Sequence, residues 1–257
     1  MAHKLKNPRA ILITGASSGI GEALALAYAK KGVFLALSGR NEERLSAVAA
    51  ACRALGAEVA AEAIDAAERE AMGKWINSSY SHRALDLVIA NAGVSGGTFG
   101  RGESEEQVRH IFAVNLAGVL NTVLPAIPLM RERKRGAIAI MSSLAAFRGV
   151  PSAPAYAASK AAVRVYGEGL RIVLAPAGVS VSVICPGFVV SRITQKNKFR
   201  MPFLMTAEKA AGVIIRGLGR GKSLIAFPFP MYFVMRLFSV LPAWVVEPIL
   251  KRLPKKE

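Results

Sequence analysis

The stretch Ala10-Ile-Leu-Ile-Thr14-Gly15-Ala-Ser-Ser-Gly19-Ile-Gly21 decides the fold. Its first five residues make a short apolar run, the pattern of a strand buried on both faces of a parallel sheet. Three glycines follow, and residues 22–31 read as a helix. A glycine turn between strand and helix lets a pyrophosphate approach backbone N–H groups at the helix's positive end. In that reading Gly15 permits the tight turn, Gly19 the close approach and Gly21 the packing of helix on strand. Ser17, Ser18 and Ile20 lie in the same loop. The spacing G-x-x-x-G-x-G departs from the commoner G-x-G-x-x-G, and a glycine loop alone is weak evidence, but its place directly after a strand strengthens it.

Working outward, Val33-Phe-Leu-Ala-Leu-Ser38 reads as a second parallel strand, followed by Gly39-Arg40 and a helix over 41–55. At this strand end an acid would bind the ribose 2′-hydroxyl of NAD, whereas an Arg accommodates the 2′-phosphate of NADP. The chain has Arg40 and no acid before Glu42, which favours NADP(H) over NAD(H); the alternative is that Arg40 is a solvated loop residue. A third strand over 58–64 leads to Asp65, whose carboxylate can accept from an adenine amino group. A fourth over 85–90 runs into Asn91, Ala92 and Gly93, small enough for a cofactor to lie against the backbone.

The spacing then predicts one long helix over 104–131 with Ser104 and Gln107 as a capping box, a strand over 136–143, a helix over 153–175, a strand over 179–185, a helix over 206–219 and an edge strand at Leu224-Ile-Ala-Phe227. The expectation is a single doubly wound α/β domain over 1–227, with a mainly parallel seven-stranded sheet and helices on both faces. A tail over 228–257 follows it. No fixed-period repeat or low-complexity linker interrupts the chain.

On the helix over 153–175, Tyr156 and Lys160 stand four residues apart and so share a face. A nearby ammonium favours the phenolate, which would bring a group of ordinary pKa about 10 toward neutral pH. Ser143, after the fifth strand, would hold a carbonyl oxygen beside that phenol. Taken alone, a Tyr and a Lys at this spacing more often mean core packing and a solvated amine.

Together these motifs resemble the short-chain dehydrogenase/reductase (SDR) family. The matches are Thr14 to Gly21, Asn91-Ala-Gly93, Asn115 in Val114-Asn-Leu-Ala-Gly118, Ser143, Tyr156-x-x-x-Lys160 and Pro186-Gly187, in the family's order and spacing over roughly residues 8–191. The resemblance implies a Rossmann fold and hydride transfer between a nicotinamide cofactor and an alcohol or carbonyl carbon. It gives Tyr156 the role of acid/base. Lys160 would lower the phenol pKa and hydrogen-bond the nicotinamide ribose, Ser143 would bind the substrate oxygen, and Asn115 would link Lys160 to a proton relay through water. Pro186 and Gly187 close the cofactor site, and Ser191 stands where the family usually has a Thr contacting the carboxamide. It also implies a homodimer or homotetramer built through 104–131 and 153–175, and a substrate lid within 192–219.

Composition bounds the rest. The formal net charge of +17 points to an acidic partner or surface, whether nucleic acid, anionic lipid or an acidic substrate, or else to an organism whose proteins run basic. Nucleic acid is disfavoured because no recognition motif is present and the basic residues are scattered. Cys52 and Cys185 lack companions at metal-ligand spacing, so neither a metal site nor a disulfide framework is expected. A cytoplasmic location fits, with peripheral membrane contact as an addition. In the lid, Phe199, Met201, Phe203, Leu204 and Met205 mix with Arg192, Lys196, Lys198 and Arg200 and suit an apolar substrate. The tail carries Phe229, Tyr232, Phe233, Phe238 and Trp244, then Lys251-Arg252-Leu-Pro-Lys255-Lys256. Its uncharged runs are shorter than the ~20 residues of a spanning helix. It would lie on a membrane, cover the pocket, or bury itself between subunits. The alternative to an enzyme is a non-catalytic NADP-binding regulator or membrane-associated scaffold.

Overall fold

In the computed structural model, which describes residues 5, 7–98, 102–195 and 199–251, seven short apolar runs become seven parallel strands. They are β1 (Ala10–Thr14), β2 (Phe34–Ser38), β3 (Glu58–Glu62), β4 (Leu87–Ala90), β5 (Gly136–Met141), β6 (Val179–Pro186) and β7 (Leu224–Phe227). Their order is β3-β2-β1-β4-β5-β6-β7, and every neighbouring pair is parallel. The chain moves outward one way from β1 and the other way from β4. Such a reversal leaves a crevice at the carboxyl ends of the two central strands.

Connecting these strands are α1 (Gly19–Tyr28), α2 (Glu42–Ala54), α3 (Arg69–His82), α4 (Glu105–Phe112), α5 (Gly118–Glu132), α6 (Pro154–Leu174), α7 (Arg192–Gln195) and α8 (Ala207–Gly219); beyond β7 come α9 (Phe229–Val240) and α10 (Ala243–Leu250). The period-two alternation of each strand divides its side chains between two cores. Ile11, Ile13, Leu35 and Leu37 pack with Leu24, Leu45 and Ile214 on one face. Leu12, Phe34, Ala36 and Val88 pack with Ile76, Val123 and Val163 on the other. Helices therefore cover both faces, as the alternation of apolar runs and helical segments requires.

Three local expectations change. The helix over 104–131 forms as one helical stretch, Glu105–Glu132, but not wholly as α-helix: a π-helical turn, Ala113–Ala117, lies between α4 and α5 and carries Asn115. The capping box is only half formed. Ser104 Oγ accepts from the Gln107 backbone N at 3.2 Å, but the Gln107 side chain donates to Gly97 O at 3.0 Å, a carbonyl in the loop after β4. The third strand stops at Glu62 and is largely exposed at the sheet edge, with Ile64 buried beyond it. Among the described residues one helical stretch, Glu105–Glu132, is long and apolar enough to cross a bilayer. Its apolarity has a core explanation, since Val119, Val123, Ala126 and Met130 are buried against the sheet.

Beyond β7 the inner side of α9 seats on the domain. Met231, Tyr232 and Met235 pack against Leu144, Phe147, Val183 and Cys185, with the Phe147 and Tyr232 rings edge-on at 5.5 Å. Lys196 and Lys198 of the lid, and Arg252, Lys255 and Lys256 of the tail, lie outside the described residues.

Candidate active site

The crevice at the strand ends is a pocket of about 570 Å³. Its floor is made by the β1–α1 loop. Gly15 and Gly19 have φ of +66° and +61°, backbone that L side chains rarely adopt. A Cβ on Gly15 would lie 2.8 Å from Ala92 Cα, and one on Gly21 would run into Gly15 O and Asn91 Nδ2. Glycine is therefore required at 15 for the turn and at 21 for the close approach of the loop carbonyl and Asn91.

Thr14 and Asn91 stitch the two central strands together below the pocket. Thr14 Oγ1 accepts from the backbone N of Asn91 and of Ala92, each at 3.1 Å, and Asn91 Nδ2 donates to Thr14 O at 2.9 Å and Gly15 O at 3.2 Å. These bonds hold the Asn91-Ala92-Gly93 turn against the glycine loop. Thr14 and Asn91 thus act on the scaffold as much as on any ligand.

At one end of the pocket Arg40 and Asp65 face each other, Nη1 to Oδ2 at 3.8 Å, while Asp65 Oδ1 accepts from Ala67 N at 3.0 Å. The guanidinium is half exposed, and a long pair in water is worth at most about 1 kcal/mol, so Arg40 remains available to a stronger anion. Arg44 also lines this end. Its Nε is buried without a hydrogen-bond partner. Arg44 stands four residues after Arg40, a spacing the sequence shows without separating it from a solvated helix residue.

At the other end, β5 delivers Ser143 and α6 delivers Tyr156 and Lys160. Ser143 and Tyr156 both line the pocket, and Ser143 Oγ accepts from Ala145 N at 3.1 Å. Lys160 is buried, with Nζ donating to Met141 O at 3.0 Å and lying 5.9 Å from the Tyr156 ring centroid. Ser142 Oγ donates to Lys160 O at 2.7 Å, which fixes α6 to the end of β5. The start of α6 has no side-chain cap of its own; Glu103 Oε2 accepts from Ala155 N at 2.8 Å instead. Glu103 is a positioning residue with no local sequence signature, because it reaches α6 across 52 residues.

The electrostatics depart from the sequence expectation. Burial raises the Tyr156 phenol above its ordinary value, with the Ser143 hydrogen bond opposing the shift. Burial also lowers the Lys160 ammonium to about 8. Desolvation disfavours both charged forms and is the largest influence on each.

Asn115 does not line the pocket. It is buried one layer behind, with Oδ1 accepting from Val94 N at 2.8 Å and Nδ2 donating to Val94 O at 2.9 Å and Ser159 Oγ at 3.0 Å. It ties the turn after β4 to α6 and keeps the two walls of the pocket in register. A Cβ added to Gly93 would meet Asn115 Oδ1 and Lys160 Nζ, each at 3.2 Å, so the three positions converge.

Of the other expected residues, Ser17, Ser18, Gly19, Ile20, Ala92, Gly93, Pro186, Gly187 and Ser191 all line the pocket. Ser191 lies over the glycine loop, its Cβ 3.0 Å from where a Gly19 Cβ would be. Thr194, unnoticed in the sequence, joins it: Thr194 Oγ1 accepts from Ser191 N at 2.9 Å and donates to Val189 O at 2.8 Å. Val189 and Ile193 add an apolar wall, and Val190 N donates to Met205 O at 2.9 Å, pinning the two ends of the lid segment together.

The short chain dehydrogenase family model matches residues 9–201, which contain every residue of this pocket. An uncharacterized oxidoreductase from Myxococcus xanthus is 39% identical over 95% of this chain and 97% of its own length. An 11-beta-hydroxysteroid dehydrogenase-like protein from Arabidopsis thaliana is 36% identical over 91% of this chain and 78% of its own. Among solved structures, a short-chain dehydrogenase/reductase from Burkholderia phymatum in complex with NAD superposes with a TM-score of 0.81 at 25% identity, covering 99% of each chain. One from Sphingobium yanoikuyae in complex with NADPH gives 0.79 at 24% identity over 96% of this chain and 97% of its own. With a strand-loop-helix floor, a reversal between β1 and β4 and the Ser143, Tyr156 and Lys160 cluster all inside the matched span, the chain belongs to the short-chain dehydrogenase family and is an oxidoreductase.

Proposed function

We propose that the chain interconverts a carbonyl and a secondary alcohol on an apolar substrate with NADP(H), using Tyr156 as the acid/base. The observation that carries this reading is the convergence of Ser143, Tyr156 and Lys160 in the same pocket as the glycine loop, with Lys160 Nζ 5.9 Å from the Tyr156 ring centroid. Two features fit a dinucleotide phosphate: a cradle at Gly15 and Gly19 that a Cβ would fill or strain, and an orphaned buried Nε on Arg44. The loop over 15–20 would hold the pyrophosphate, Arg40 and Arg44 the 2′-phosphate, and Asp65 the adenine amino group. Asn91, Ala92 and Gly93 would back the ribose, Tyr156 and Lys160 would bind its hydroxyls, and Pro186, Gly187 and Ser191 would frame the carboxamide. The bound nicotinamide would supply or take up the hydride.

In the reductive direction the substrate oxygen is held by the Ser143 hydroxyl and receives the Tyr156 proton. Burial keeps that phenol protonated at neutral pH, the form an acid needs. The tyrosinate left behind is stabilised by the Lys160 cation, and both groups bind and orient from one face of α6. The apolar wall of Val189 and Ile193 and the Arabidopsis relatives named for hydroxysteroid dehydrogenases support a bulky, steroid-like or lipid-like ketone or alcohol. Exposed Leu124 on α5 and Val165, Ile172 and Val173 on α6 support self-association through those helices.

NADPH oxidation against a panel of apolar ketones tests the assignment. Tyr156→Phe should lose at least about 100-fold in turnover, the usual scale of general acid catalysis, while binding NADPH like the parent. Near-full turnover in that variant would overturn the role of Tyr156.

A further inference from the structure

The outer side of α9 has no partner among the described residues that accounts for its composition. Phe229, Phe233, Leu237 and Val240 recur along one side of the helix, and Phe229 and Val240 are 71% and 70% exposed. Val234 flanks the stripe, and Trp244 at the start of α10 is 78% exposed. This exposure does not come from an unseated helix, because the opposite side of α9 is packed on Leu144 and Phe147. The helix is also fixed at both ends to the catalytic region. Pro228 Cδ and Met231 Sδ close on Gly187, each 3.0 Å from where a Cβ would stand. Arg148, just past the turn begun by Ser143, directs Nη1 to Leu241 O at 3.4 Å.

We propose that this face docks the enzyme on an anionic lipid surface. Two aromatic rings and branched aliphatics on one side of a short helix, with a Trp at the next helix, form an interfacial insertion surface. The charge is complementary to such a surface. Arg236 is exposed within the stripe and Lys251 is exposed at the end of α10, and residues 228–257 carry five Lys/Arg against two Glu. A second copy is the less suitable occupant, since it would have to bury Arg236 in the middle of its contact, whereas a headgroup layer solvates and pairs that guanidinium. The inference does not depend on the nucleotide assignment, because recruitment needs no turnover.

Flotation of the full chain with phosphatidylcholine vesicles, with and without phosphatidylserine, tests it. The parent chain should float with the anionic vesicles, and salt should weaken that recruitment. Phe233→Glu and Val240→Glu should reduce the bound fraction at least about tenfold, while Leu55→Glu, on the exposed end of α2, should leave it unchanged. Trp244 reports the event without any substitution: Trp75 is buried, so a blue shift and quenching by brominated lipid would come from Trp244. Absence of the parent chain from both vesicle fractions, or equal recruitment of all variants, overturns the proposal. So does a parent oligomer that Phe233→Glu dissociates and in which Trp244 is already shielded, which would make the face a subunit interface.

Discussion

Replacing Asn115 with Leu, nearly its shape, tests whether this residue works as the brace between the two walls of the pocket. The substitution deletes three hydrogen bonds and strands Val94 N–H and C=O at the half-buried pocket wall and the acceptor side of the buried Ser159 Oγ. At about 1 kcal/mol per bond, with part of the desolvation cost of each stranded group added, the loss is about 3–4 kcal/mol. Ser159 Oγ still donates to Tyr156 O at 2.8 Å, which keeps the estimate at the lower end. For a domain of this size each kcal/mol lowers the melting temperature by about 2–4 °C, so a fall of about 6–16 °C is expected by scanning calorimetry. A melting temperature for Asn115→Leu within about 2 °C of the parent, less than one hydrogen bond's worth, would refute the brace.

Lys160 sets a pH dependence. Its pKa is lowered to about 8 in the folded chain from 10.5, so between those values the unfolded state binds more protons and stability rises with pH. The full span is up to about 3 kcal/mol. The stability of the parent relative to Lys160→Met should therefore improve from pH 7.5 to pH 10 in urea unfolding, and a constant difference would contradict the buried ammonium. The thiols should be inert: Cys52 and Cys185 are buried and each is pushed up to about 11, leaving about one part in a thousand as thiolate at pH 8. A disulfide reagent should titrate neither until the chain unfolds, and rapid reaction of the folded chain would show the pocket region opening.

What the sequence made legible was what local rules encode. The run from Ala10 to Gly21 carries strand, turn and helix in consecutive residues, and the four-residue step from Tyr156 to Lys160 fixes a shared face on any helix. The unread features depend on partners far along the chain. Gln107 abandons its cap for Gly97, Glu103 caps α6 from another loop, and Asn115 sits in a π-turn between Val94 and Ser159. Arg44 was readable from its spacing to Arg40 but had no feature to separate it from a solvated helix residue. The expectation for Tyr156 rests on the neighbouring cation, which a sequence shows, and not on the burial that raises the phenol, which it does not show. For the tail the sequence leaves membrane surface, pocket cover and subunit interface open, whereas α9 has two sides, one packed on Leu144 and Phe147 and one exposed.

The most direct test of the account is a fluorescence titration of the chain with NADPH and with NADH, repeated on Arg40→Asp. NADPH should bind more tightly to the parent, and removing a charge-assisted contact worth about 1.5–3 kcal/mol should weaken NADPH by about 10- to 150-fold in the variant. NADH should bind the variant at least as well as the parent, because a carboxylate at that position can accept from the 2′-hydroxyl. Equal affinity for the two nucleotides in the parent, unchanged in Arg40→Asp, would contradict the NADP(H) assignment, and binding of neither would remove the basis of the proposed reaction.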